Sequence, residues 1–173
     1  MNTLNDQEVA AFVGAKADYY LQKWRPVLEG AGNAGNATGF NWAAFFLSGL
    51  WLPYRKMYRA TAIFFGVIML ETLLEDIVYI GILGRPEAPG FWGRVVSLIA
   101  AMVCGGFGNA WYLSHTQEAV TKVRGQGLAD DIYLQTLAKR GGTSIVASIC
   151  FSIGFLLVTI VAITFLDLLL KKP

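Results

Sequence analysis

"FNWAAFFLSGLWLPYRKMYR", residues 40–59, decides how the rest of the chain is read. A mostly apolar run rich in Phe and Trp passes directly into Arg55, Lys56 and Arg59. As a straight helix, residues 40–52 would extend about 20 Å, against roughly 30 Å of bilayer hydrocarbon. The run is too apolar to favour water and too short to cross a membrane comfortably. Arg55, Lys56 and Arg59 must begin the following span from the cytoplasmic side, so both flanks are expected there. Residues 40–53 are therefore read as a re-entrant or interfacial helix, with Pro53 turning the chain. The rival reading is a short fourth span that puts the N-terminus outside.

The surrounding composition supports a membrane setting. The 173 residues suit one domain. They are 55% hydrophobic and 15% charged, with a mean hydropathy of +0.49. A soluble domain is about 25% charged, so too few charges are present to cover a water-facing surface. A span needs about 20 apolar residues, and 60–83, 92–113 and 144–170 qualify. The fold class is thus an all-α integral membrane protein with three transmembrane helices, the re-entrant or interfacial helix and an N-terminal amphipathic helix.

Polar segments fill the intervals. Residues 5–28 read as one amphipathic helix, with Asn5 and Glu8 at capping-box spacing. Residues 29–39, "EGAGNAGNATG", read as a flexible linker. Residues 1–39 thus form a cytoplasmic helix and linker, and 40–173 a membrane domain. Asn36 and Thr38 match a glycosylation sequon by chance, given the expected side. No signal peptide is visible, because the first 30 residues hold no apolar core. "GRPEAPG", 84–90, is a tight turn between the first two spans. The cytoplasmic segment 114–142 is broken at Gly125 and Gly127. It contains a short amphipathic helix over 128–140, ended by Gly141 and Gly142, and Thr143 or Ser144 can cap the third span.

Lysine and arginine placement gives the orientation. With the N-terminus inside, six basic residues of 1–59 and four of 114–142 are cytoplasmic, against Arg85, Arg94, Lys171 and Lys172 outside. Four crossings would reduce that asymmetry to seven against seven. Tryptophans 42, 51, 92 and 111 fall near span ends, where aromatic belts sit. A net charge of +2 gives no support for nucleic-acid binding. Cys104 and Cys150 lie in apolar runs and read as packing residues rather than a disulfide or metal pair.

Three polar constellations are candidate sites. Glu71, Glu75 and Asp76 fall inside the first span, where carboxylates are costly and face a bundle interior or water. They could form an ion or proton site, or sit shallower, with Arg94 as a neutralising cation. Asn109, Tyr112 and His115 form one helical stripe, and the lone His suits a hydrogen bond better than a metal. Arg55, Lys56 and Arg59 read as a positive-inside anchor that could also contact anionic headgroups. Ala101–Gly105, Cys104–Gly108 and Cys150–Gly154 are small residues four apart, which let helices approach closely. They are read as contacts between the second and third spans, or as a homodimer face.

The opening motif "FNWAAFFLSGLWLPYRKMY" resembles the signature of DUF2628, a family of small bacterial membrane proteins of unknown function. "FVGAKADYYLQKW" at 12–24, "GNAWYLSH" at 108–115 and "GGTS" at 141–144 match as well, and the resemblance covers most of 12–144. It implies a multi-pass bacterial inner-membrane protein and brings no activity, cofactor or catalytic residue.

No nucleophile motif, phosphate-cradling glycine loop or metal-ligand cluster stands out. No catalytic residue, metal or cofactor is expected, which weighs against an enzyme. The leading expectation is a small non-enzymatic scaffold, assembly factor or accessory subunit. Its partners are the lipid bilayer, anionic headgroups, and a second copy or a partner membrane protein. The alternative is a small oligomeric transporter or channel for a cation or proton, using the carboxylates.

Overall fold

The computed structural model describes residues 4–30, 39–85 and 89–170, with no strand among them. Most of the 29–39 linker, its sequon and part of the 84–90 turn lie outside the described residues. Eight α-helices are described: α1 (Asp6–Val13), α2 (Ala17–Leu28), α3 (Trp42–Leu47), α4 (Trp51–Tyr54), α5 (Tyr58–Asp76), α6 (Phe91–Arg124), α7 (Asp130–Arg140) and α8 (Ile145–Leu170). A 3-10 turn, Ser48–Leu50, links α3 to α4, and a π-helical stretch, Ile77–Ile82, extends α5.

The N-terminal region is two helices rather than the expected one. Both arms of the Asn5–Glu8 capping box form and start α1. Gly14 then takes φ 74°, a left-handed conformation that glycine adopts without a Cβ penalty, and the chain turns into α2. The motif helix is broken as well. Asn41 caps α3 by accepting a hydrogen bond from the Ala44 N–H at 2.9 Å. After six helical residues Ser48, at φ 45°, ends it.

Among the described residues two stretches are long and apolar enough to cross a membrane: Phe91–Arg124, and Asp130–Leu169, which holds nearly all of α8. The 34 residues of α6 run well past the expected boundary at 113, to the break at Gly125. No described residue of α8 is buried, and a helix apolar all round suits lipid or a partner helix. α5 carries Arg59, Glu71, Glu75 and Asp76 within 19 residues and is not among the qualifying stretches.

Burial is concentrated at one end of the long helices. Val9, Phe12, Trp24, Trp51, Tyr112, Leu113, Val120 and Leu137 are almost fully enclosed there. This cap joins α1, α2, α3, α4 and α7 to the C-terminal half of α6 and the start of α8. Away from it, α5, α6 and α8 expose rows of Ile, Leu and Val.

The small residues of α6 have a different partner from the one expected. Gly105 faces Phe40 and Phe45, and Gly108 faces Ala44 and Trp51, so the motif segment rather than α8 packs on this stripe. A Cβ added at Gly154 would meet nothing within 4 Å, so no described side chain packs against that glycine. Among the described glycines the tightest is Gly141, where a Cβ would run into the Phe12 carbonyl oxygen. Next to it, the Gly142 N–H donates to that oxygen at 2.6 Å. Ser144 then caps α8 through the Ala147 N–H at 3.1 Å, while its own N–H donates to the Tyr54 carbonyl at 2.8 Å.

This packing separates two glycines by environment. Gly141→Ala should destabilise the fold by about 1–3 kcal/mol or more, because the opposing atom is backbone. Gly154→Ala should cost nothing and gain helix propensity. Thermal melting in detergent checks the pair, and equal melting points would contradict the close approach at Gly141.

Candidate functional site

The polar groups of the cap converge on one stretch of α6. Asn109 is fully buried on that helix. Its Oδ1 accepts a hydrogen bond from Asn41 Nδ2 at 2.8 Å, and its Nδ2 donates to the Gly39 carbonyl at 3.1 Å. Its main-chain carbonyl accepts from Trp24 Nε1 at 3.2 Å. The Asn41 N–H donates to the Gly105 carbonyl at 2.7 Å. Asn41 and Asn109 come from two separate motifs, so those motifs meet across a buried amide pair.

One turn further on, Tyr112 sits among Tyr20, Trp24, Trp51 and Phe12, with ring centroids 5.0–6.3 Å away. Against this cluster lies Arg55, only 5% exposed. Its guanidinium is 4.9 Å from the Tyr20 and Tyr112 ring centres and 5.7 Å from that of Tyr54. Nη2 donates to Tyr20 Oη at 3.1 Å, while Nε and Nη1 have no partner among the described residues. Arginine keeps its charge when buried, and ring faces attract a desolvated cation by about 2 kcal/mol or more. Burial pushes the Tyr20 hydroxyl pKa up, against the opposing pull of Arg55.

Arg55 is thus parted from the basic cluster it was grouped with. A headgroup contact, expected for Arg55, does not fit a guanidinium enclosed by three tyrosines. Arg59 is exposed and half-buried Lys56 reaches out to donate to the Lys139 carbonyl at 3.2 Å. His115 is half-buried, its ring 5.8 Å from Phe12 and 6.5 Å from Tyr112. Asn109, Tyr112 and His115 do share one region, but as parts of a packed cluster.

The acids lie at the far end. Glu71 and Glu75 turn carboxylate oxygens toward Gly93 near the start of α6, 3.7 and 3.8 Å from where a Cβ would be. One oxygen of each is buried without a hydrogen-bond partner among the described residues. Asp76, next to Glu75 in the chain, has an interaction of its own. Arg94 is exposed, and among the described residues it forms no ion pair with Glu71 or Glu75. Among the described residues no group of three His, Cys, Asp or Glu could hold a metal.

A second polar centre lies on α1, where the sequence marks only the capping box. Glu8 is 2% exposed and gathers three elements. Arg124 grips it with two hydrogen bonds, Nε to Oε1 at 2.8 Å and Nη2 to Oε2 at 2.6 Å. The Tyr133 hydroxyl donates to Oε1, and the Asn5 N–H donates to Oε2 at 2.9 Å. Burial alone would raise its pKa, but the bonds from Arg124, Asn5 and Tyr133 outweigh that and hold it below the usual carboxylate range. The capping-box spacing marked Glu8, but nothing local marked partners more than a hundred residues away.

The chain belongs to the DUF2628 family, described as "Protein of unknown function", whose profile matches residues 14–117. Comparison with curated proteins and with solved structures gives no match. The matched region contains Asn41, Arg55, Asn109 and Tyr112, while Glu8, Arg124 and Tyr133 lie outside it.

The Glu8 clamp predicts a pH signature. A carboxylate with a depressed folded-state pKa stabilises the fold fully above its unfolded value of about 4.3. That contribution is lost as pH falls through the lower folded value. Glu8→Gln should therefore cost about 1–3 kcal/mol near neutral pH, and its deficit should shrink below about pH 4. Melting curves of both proteins across pH 3–7 check this. A deficit independent of pH would mean that Glu8 does not act as an ion.

Proposed function

We propose that this chain is a small non-enzymatic protein of the bacterial inner membrane, acting as a scaffold, assembly factor or accessory subunit. The observation that carries this reading is the use made of the motif residues. Asn41, Arg55, Asn109 and Tyr112 are spent on holding the cap together through a buried amide pair and a guanidinium set against tyrosine rings. What remains for interaction is surface, above all α8, with its uncovered apolar length.

In this reading α5 with its π-helical extension, α6 and α8 are three spans, and α1, α2 and α7 form a cytoplasmic cap. Two observations support a re-entrant course for residues 40–53. The Gly39 carbonyl meets Asn109, and the Tyr54 carbonyl meets the N-terminal cap of α8, so both flanks of the segment lie at the cap end. The lysine and arginine asymmetry supports a cytoplasmic cap.

Purification in mild detergent tests the role. A partner membrane protein should co-purify at a fixed ratio. It should be lost when Val161→Trp and Leu168→Trp are placed on the exposed surface of α8. A homo-oligomer whose Glu71 reacts with a water-soluble carboxylate reagent would contradict the accessory role and favour a cation or proton transporter.

A further inference from the structure

A cleft of about 1100 Å³ opens between α5 and α6, bordered at the cap end by α7. It is larger than the ~300–1,000 Å³ of an ordinary small-molecule pocket. Its two ends differ in chemistry. Away from the cap its walls are apolar, with Ile63, Val67, Ile99 and Val103 among them. These four side chains are 38–67% exposed, so the cleft is open sideways along the long helices.

At the cap end the wall is cationic. Lys56 and Arg59 come from the segment before and into α5, Lys122 from α6, and Lys139 and Arg140 from the end of α7. Five cations from three parts of the chain thus border one opening, with Glu118 as the one carboxylate among the lining residues. The Arg59–Glu118 pair spans 3.7 Å with both side chains largely exposed, and an ion pair of that kind contributes little. It leaves the excess of positive charge standing. Lys56 is oriented toward the rim by its bond to the Lys139 carbonyl.

A site cationic at one end and apolar along its length complements an anionic amphiphile. We propose that this cleft holds an anionic phospholipid, its phosphate met by Lys56, Lys122, Lys139 and Arg140 and an acyl chain laid along Ile63, Val67, Ile99 and Val103. The phosphate gains charge-assisted hydrogen bonds from several donors, and the acyl chain covers apolar wall that faces lipid. Lateral opening lets the lipid enter from the bilayer without passing through water. The proposal rests on α5 and α6 being embedded in the membrane, which thiol labelling tests separately.

The test is thermal melting of the full chain in nanodiscs of phosphatidylcholine, with and without phosphatidylglycerol. Phosphatidylglycerol should raise the melting temperature, and glycerol 3-phosphate, the headgroup without chains, should not. The shift should be lost in the Lys122→Gln, Arg140→Gln double variant. It should also be lost in Val103→Trp, which fills the cleft and leaves the charges in place. It should persist in Lys16→Gln, Arg25→Gln, which removes two cap cations away from the cleft. A shift that survives Val103→Trp, or one abolished equally by the Lys16 and Arg25 changes, would overturn the site in favour of general charge attraction. Equal melting in both lipids would overturn it outright.

Discussion

A side-chain amide in the middle of a long apolar helix must find partners, because an unsatisfied polar group in an apolar surrounding costs several kcal/mol. Asn109 imposes that demand on α6, and the rest of the cap is arranged around the answer. Asn41 and the Gly39 carbonyl supply the partners. Holding Asn41 there fixes where α3 begins and lays it on Gly105 and Gly108, which have no side chains to keep it away. The same turn of α6 receives Trp24, and through it α2. Arg55 then closes the assembly between Tyr20 and Tyr112.

The molecule divides into two regions with different physics. The cap is held by buried aromatics, a caged cation and the Glu8–Arg124–Tyr133 clamp, all of which need their neighbours in place. The long helices beyond it expose their apolar side chains and take their stability from whatever surrounds them. The cleft between α5 and α6 bridges these regions, because its rim belongs to the cap and its walls to the long helices. A lipid bound there would tie the cap to the bilayer surface.

Much of this architecture was legible in the sequence. Apolar length marked the long helices, Asn5 and Glu8 marked the start of α1, and Gly125 and Gly141–Gly142 marked breaks that the structure contains. Those signals are local, set by capping, by φ and by the span a helix can cover. The misreadings concern contacts between distant residues. Gly14 looked like one residue inside a helix, because nothing in the adjacent sequence marks the φ of 74° that it adopts. The small-residue stripe was legible as a contact but not as to its partner, since Phe40 and Ala44 are more than fifty residues away. Arg55, Lys56 and Arg59 formed one basic run in sequence, and only the fold separates the caged cation from the two at the cleft. Lys122, Lys139 and Arg140 stand in the sequence only as cytoplasmic charges, because nothing in their spacing shows that α6 and α7 bring them together.

We propose that residues 40–53 enter and leave on the cap side, pinned by the Asn41–Asn109 pair, without crossing the membrane. Single cysteines at Asp18→Cys, Arg85→Cys and Gln126→Cys test it most directly, in a chain carrying Cys104→Ala and Cys150→Ala. The reagent is a membrane-impermeant maleimide applied to intact cells. The account predicts labelling at Arg85→Cys, with Asp18→Cys and Gln126→Cys reacting only after the cells are permeabilised. Labelling of Asp18→Cys in intact cells while Gln126→Cys stays protected would contradict it, because the motif segment would then cross the bilayer.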